Sequence, residues 1–122
     1  MTAIRLGSVS LECAEAMPLA AFWAGLLDGE VAFASDDFVA VKLDHVWLST
    51  VRVENYQRPT WPSNEVPQQL HLDLAVDDLE TTVAKAISLG AEKASVQPSP
   101  DRWTVMIDPA GHPFCLTTLI PE

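Results

Sequence analysis

Two stretches of this chain echo one another in order and at nearly constant distance. Ser8-Val9-Ser10-Leu11 overlies His71-Leu72-Asp73-Leu74 at a shift of 63 residues, and Val39-Ala40-Val41-Lys42-Leu43-Asp44 overlies Trp103-Thr104-Val105-Met106-Ile107-Asp108 at a shift of 64. Gly29 and Gly90, each placed where a helix should stop, lie 61 apart, so the second helix connection is slightly the shorter. A fixed internal period marks a duplicated supersecondary unit, and this restricts the chain to folds made of two like parts.

The pattern within each part is the same. Val9, Leu11 and Cys13 alternate with Ser8, Ser10 and Glu12, which predicts a strand; with Ile4 and Leu6 it starts near Ile4 and is bulged at Gly7. Pro18 suits a first helical turn, and Leu19, Phe22, Trp23, Leu26 and Leu27 follow at spacings of three and four until Gly29. Three β-prone runs come next, at 30–34, 38–43 and 45–53. Residues 54–68 hold three prolines and no period, as an extended linker would.

The second part opens on a clean alternation over 69–76, with Leu70, Leu72, Leu74 and Val76 on one face and His71, Asp73 and Ala75 on the other. Asp77 with Glu80 three positions on reads as a capping box, and Leu79, Val83, Ala86 and Ile87 form the stripe to be buried. Strands are expected at 91–96, 103–108 and 113–119. Both halves therefore read β-α-β-β-β, an α+β fold in two modules (1–53 and 69–122) of a single domain.

Seven Lys and Arg against seventeen Asp and Glu leave a net charge of −10, which repels nucleic acid and anionic lipid alike. The stretch Met1–Arg5 carries one basic residue and meets polar residues by Ser8, unlike a signal peptide, and no run is long enough for a membrane span. Two cysteines are few for a secreted disulfide scaffold, so Cys13 and Cys115 are read as reduced and the protein as cytoplasmic.

His71-Leu72-Asp73-Leu74-Ala75-Val76-Asp77-Asp78 resembles the module-opening strand and helix entry of the vicinal oxygen chelate superfamily, which includes glyoxalase-like and bleomycin-resistance proteins. Asp108-Pro109-Ala110-Gly111-His112-Pro113 resembles its closing Asp-Pro-x-Gly-x-Pro turn, in which Gly111 permits positive φ. The resemblance implies a cupped mixed sheet with helices outside, a small-molecule ligand in the cup and a homodimer. Metal-using members place a ligand on the first and the last strand of each module. Those positions look like Ser8, an uncharged residue between Val46 and Val53, His71 and Cys115, so His71 is the only strong ligand retained. Asp73 lies two residues from His71 on the same face, about 7 Å along a strand, a workable but not ideal distance for a shared ion. His45 and His112 are not directed inward by the pattern.

No metal or other cofactor is therefore expected. His71 and Asp73 are candidates for proton transfer, and Cys115, with nothing basic near it in sequence, reads as a packed residue rather than a nucleophile. Trp23 lies on the helical stripe, whereas Trp47, Trp61 and Trp103 fall on strands or in the linker, where a large ring has less to do in a core. Ser8, Trp47, Trp61, His71, Asp73, Trp103 and Cys115 make up the candidate ligand-binding set. Two functions fit it: a metal-free protein that sequesters an aromatic or cationic compound such as an antibiotic, or a divergent lyase, isomerase or dioxygenase using His71 with or without a metal. An accessory dimer with no small ligand is the third.

Overall fold

The structure is a computed structural model and describes residues 4–121. Met1–Ala3, part of the stretch read above for a leader, lie outside the described residues. The chain divides into two compact units, Met1–Tyr56 and Gln57–Glu122, so the boundary falls inside the expected linker.

The first unit holds β1 (Ser8–Cys13), α1 (Ala16–Leu27), β2 (Glu30–Ala34), β3 (Phe38–Lys42) and β4 (Trp47–Arg52). The second holds β5 (Asp73–Ala75), α2 (Leu79–Ser88), β6 (Glu92–Lys93), β7 (Trp103–Ile107) and β8 (Pro113–Thr117). Each unit forms its own four-stranded mixed sheet, in order β1-β4-β3-β2 and β5-β8-β7-β6. In both, the first strand runs parallel to the last and the other pairs are antiparallel. The duplication read from residue spacing is thus repeated in the hydrogen-bond ladder.

Alternation decides which side of each sheet meets its helix. Leu11, Cys13, Val39, Val41, Leu48 and Thr50 are buried on the side of the first sheet against which α1 sets Leu19, Phe22, Trp23 and Leu26. The Phe22 and Trp23 rings meet edge to face at 5.1 Å, and the Thr50 hydroxyl donates to the Ala16 carbonyl at 2.7 Å, fixing the start of the helix. Burial of each large apolar side chain stabilises the fold by roughly 1.5–3 kcal/mol. In the second sheet Thr104, Met106, Phe114 and Leu116 fill the helix side.

Several local expectations are corrected. β1 begins at Ser8 because its partner β4 begins at Trp47, and Ile4 and Leu6 are exposed. The strand expected over 69–76 is ordered only at Asp73–Ala75. The Cys115 N–H donates to the Leu72 carbonyl, but the next rung upstream would need the amide of Pro113, which has no N–H. The helix cap is Asp78, whose Oδ1 accepts from the Thr81 N–H at 3.1 Å, rather than Asp77. Of the α2 stripe only Ala86 is buried, and Ile87 is half exposed.

Gly29 does not end α1 through a left-handed conformation; Asp28 takes that role at φ 53°. Gly29 is needed for space, since a Cβ there would meet Leu43 Cδ2 at 2.7 Å and Val41 Cγ1 at 2.8 Å. Gly111 does take the positive φ expected of the closing turn, 94°, with the Arg58 side chain lying where its Cβ would be. That turn is organised by Asp108, a buried carboxylate. Its Oδ1 accepts from the N–H groups of Ala110 and His112, both at 2.9 Å, and its Oδ2 lies 2.8 Å from His112 Nδ1. His112 is therefore buried and committed to the turn, a local role that the spacing of apolar residues does not reveal.

Candidate functional site

The side of the second sheet away from α2 carries Asp73, Cys115 and Val105 in one row, because Asp73 pairs with Cys115 across β5 and β8 and Cys115 with Val105 across β8 and β7. The next row on the same face holds Thr117 and Trp103. These residues line a cavity of about 530 Å³ whose walls all come from the second unit. Trp61, Pro98, Leu119 and Ile120 complete the lining.

The linker contributes Trp61 through local chemistry that its prolines conceal. Residues 60–66 are not extended but closed by hydrogen bonds: the Thr60 N–H donates to the Val66 carbonyl at 2.9 Å, the Val66 N–H to the Thr60 hydroxyl at 3.1 Å, and that hydroxyl to the Ser63 carbonyl at 2.9 Å. The Trp61 indole N–H points to the Val96 carbonyl at 3.5 Å, tying this loop to the β6–β7 connection. That connection is held in turn by Gln97, whose amide nitrogen donates to the Ala94 and Val105 carbonyls and whose oxygen accepts from the Val105 N–H, each at 2.8 Å. Gln97 continues the β6–β7 ladder with a side chain, which explains why β6 is shorter than expected.

The polar corner consists of three side chains. His71 Nδ1 lies 3.1 Å from Asp73 Oδ1, and donor atoms of His71, Asp73 and Cys115 all lie within 4.8 Å of one another. The 7 Å spacing expected between His71 and Asp73 applies to regular strand backbone; His71 precedes β5, and its ring leans onto the carboxylate. Burial, followed by the Asp73 charge and a hydrogen bond to Asp73, pushes the Cys115 thiol up to about 11. Cys115 thus stays a protonated donor to Asp73 at neutral pH, and both cysteines are free.

Five of the seven candidate residues, Trp61, His71, Asp73, Trp103 and Cys115, line this one cavity. Ser8 and Trp47 belong to the first unit, where they are register partners across β1 and β4. The register that spacing left open is now defined: Ser10 pairs with Ser49 as Asp73 pairs with Cys115, so Ser49 is the first-unit counterpart of Cys115. Ser8 Oγ lies 3.4 Å from Ser49 Oγ. Sequence reasoning missed Val105 and Thr117, although Thr117 follows Cys115 by two and the period of a strand places them on one face. Pro98, Leu119 and Ile120 carry no comparable signal.

The model of the glyoxalase-like domain family matches residues 8–117, nearly the whole chain. The chain belongs to this family. Its fold is that of the vicinal oxygen chelate superfamily, as solved structures show. A fosfomycin resistance protein, FosX, from Mesorhizobium loti is 16% identical with a TM-score of 0.74, covering 98% of this chain and 94% of that one. A mutant FosX from Listeria monocytogenes, solved with Mn(II) and 1S,2S-dihydroxypropylphosphonic acid, is 15% identical with a TM-score of 0.72, covering 98% and 95%. A glyoxalase family protein from Enterococcus faecalis is 21% identical with a TM-score of 0.69, covering 93% and 96%. No curated protein sequence matches the chain.

The glyoxalase-like domain here carries a donor set that does not fit the hard divalent ion implied by the superfamily. In the first unit the corresponding side chains, Ser8 and Ser49, are neutral hydroxyls. In the second, the donors are one imidazole, one carboxylate and, at the last-strand position, a soft sulfur, within 4.8 Å of one another. Hard cations take several oxygen ligands, from carboxylates, carbonyls and waters, in preference to sulfur. Among the described residues no helix is long and apolar enough to cross a membrane.

Proposed function

We propose that this glyoxalase-like chain is a small-molecule-binding protein of the bleomycin-resistance type, which sequesters an organic compound with an aromatic or cationic part and uses no metal. The observation that carries this reading is the second-unit cavity: about 530 Å³, apolar over most of its wall, with Trp61 and Trp103 as flat surfaces and a single polar corner at His71, Asp73 and Cys115. Concave, mostly apolar sites with a few convergent polar groups are the usual form of a small-molecule pocket. Quenching of tryptophan fluorescence by planar aromatic compounds tests it. Saturable quenching that is lost in Trp103→Ala is the expected result, and no quenching with any compound would favour the accessory role.

One observation favours a second reading, a metal-free isomerase or lyase. A carboxylate 3.1 Å from His71 Nδ1 orients the ring and leaves Nε2 as the proton acceptor, an arrangement suited to a general base. His71→Ala separates the two, since only an enzyme loses turnover while binding persists. A cytoplasmic homodimer remains our proposal from the resemblance; the exposed Phe33 and Phe38 rings, 6.1 Å apart on the β2–β3 pair, suit a covered surface. Sedimentation of the purified chain at the mass of a monomer would overturn it.

A further inference from the structure

The fold places this chain beside proteins named for fosfomycin, a phosphonate, yet the charge of its cavity is wrong for such a ligand. Among the described residues that line it, Asp73 is the one carboxylate and there is no Lys or Arg. In the Listeria structure the phosphonate is accompanied by Mn(II). Here an anion would meet Asp73 with only the His71 imidazole, already paired to that carboxylate, beside it, and bringing like charges together is unfavourable. Resting on the binding reading above, we propose that the cavity selects organic ammonium compounds, the ligand's own charged nitrogen occupying the place next to Asp73 that a metal ion would need, and that it rejects phosphonates and carboxylates.

Three features specify the ligand. A carboxylate has about four lone-pair sites, so Asp73 can receive an N–H donor beyond the contacts from His71 and the Cys115 thiol. Trp103 pairs with Thr117, two residues along β8 from Cys115, so its strand position lies about 7 Å from the polar row. The preferred ligand therefore carries its ammonium one short linker away from an aromatic body, which rests between Trp103 and Trp61. Indole faces also attract cations, which favours the same sign of charge along the whole path.

Isothermal titration with three probes that share one aromatic body tests the proposal: 2-(naphthalen-2-yl)ethylammonium, 2-(naphthalen-2-yl)ethanol and 3-(naphthalen-2-yl)propanoate. The ammonium is expected to bind roughly tenfold more tightly than the alcohol, the scale of a hydrogen bond to a charged group, and the carboxylate more weakly than either. In Asp73→Asn the preference for the ammonium over the alcohol should disappear, and an unchanged near-ultraviolet circular dichroism spectrum reports an intact fold. Equal binding of ammonium and alcohol, an ammonium preference that survives Asp73→Asn, or tightest binding by the carboxylate would each overturn the charge selection and leave the pocket reading standing. Binding of none of the three would overturn the pocket reading itself, and this inference with it.

Discussion

Asp73 and Cys115 are register partners in the parallel β5–β8 pair, and their side chains leave the same face of the sheet into one apolar cavity. Burial, reinforced by the neighbouring carboxylate, raises the thiol above its usual range. Alkylation of Cys115 by iodoacetamide, followed peptide by peptide, is expected to be slow at neutral pH and to rise only as pH approaches about 11. Asp73→Asn removes the charge contribution to the shift and should bring that rise to lower pH. The sign of the stability effect follows: the unfolded thiol loses its proton near 9.0 while the folded one holds it to about 11, so this group makes stability fall with pH across that window and leaves it unchanged below. A profile that is unchanged in Asp73→Asn would show that Asp73 does not control the thiol.

Protein purified without chelator is expected to contain no stoichiometric manganese, iron, nickel or zinc by elemental analysis, and added chelator should leave its Tm unchanged. One equivalent of zinc would overturn the metal-free reading and make His71, Asp73 and Cys115 a nitrogen, oxygen and sulfur donor set.

Asp108→Ala removes the acceptor of two backbone N–H groups and the partner of a buried imidazole. Leaving such donors unpaired costs on the order of 1–3 kcal/mol each, less what water recovers, so a loss of about 2–4 kcal/mol is expected in urea unfolding. A loss below about 0.5 kcal/mol would mean that the closing turn holds without its carboxylate.

Gly29→Ala has a different cause, overlap with Leu43 and Val41. It should destabilise by about 1–3 kcal/mol, and Leu43→Ala in the same chain should relieve part of that loss. Simple additivity of the two would show that the contact does not limit the site.

Where the sequence was readable, side-chain period carried the information. Alternation around Val39 and Val105 and the three-four spacing from Leu19 to Leu26 reflect burial on one face, which acts on composition directly. The family turn at Asp108–Pro113 was readable because its conformation demands particular residues. Strand lengths were not, since they depend on partners far along the chain: Pro113 shortens β5, and Gln97 substitutes for backbone at the end of β6. The site was half legible. His71, Asp73, Cys115, Trp61 and Trp103 stood out by type, but the approach of His71 to Asp73 and the hydrogen-bonded Trp61 loop depend on geometry that residue spacing does not carry.

The strand order has a consequence for how the chain is made. In each sheet the first strand of the module, β1 or β5, bonds only to the last, β4 or β8, which also bonds the third. During synthesis the opening strand thus emerges without a neighbour, and helix and hairpin form while it waits. The ribosome must release Pro113–Thr117 before Asp73 and Cys115 can meet, so the polar corner of the cavity is among the last features of module two to come into being.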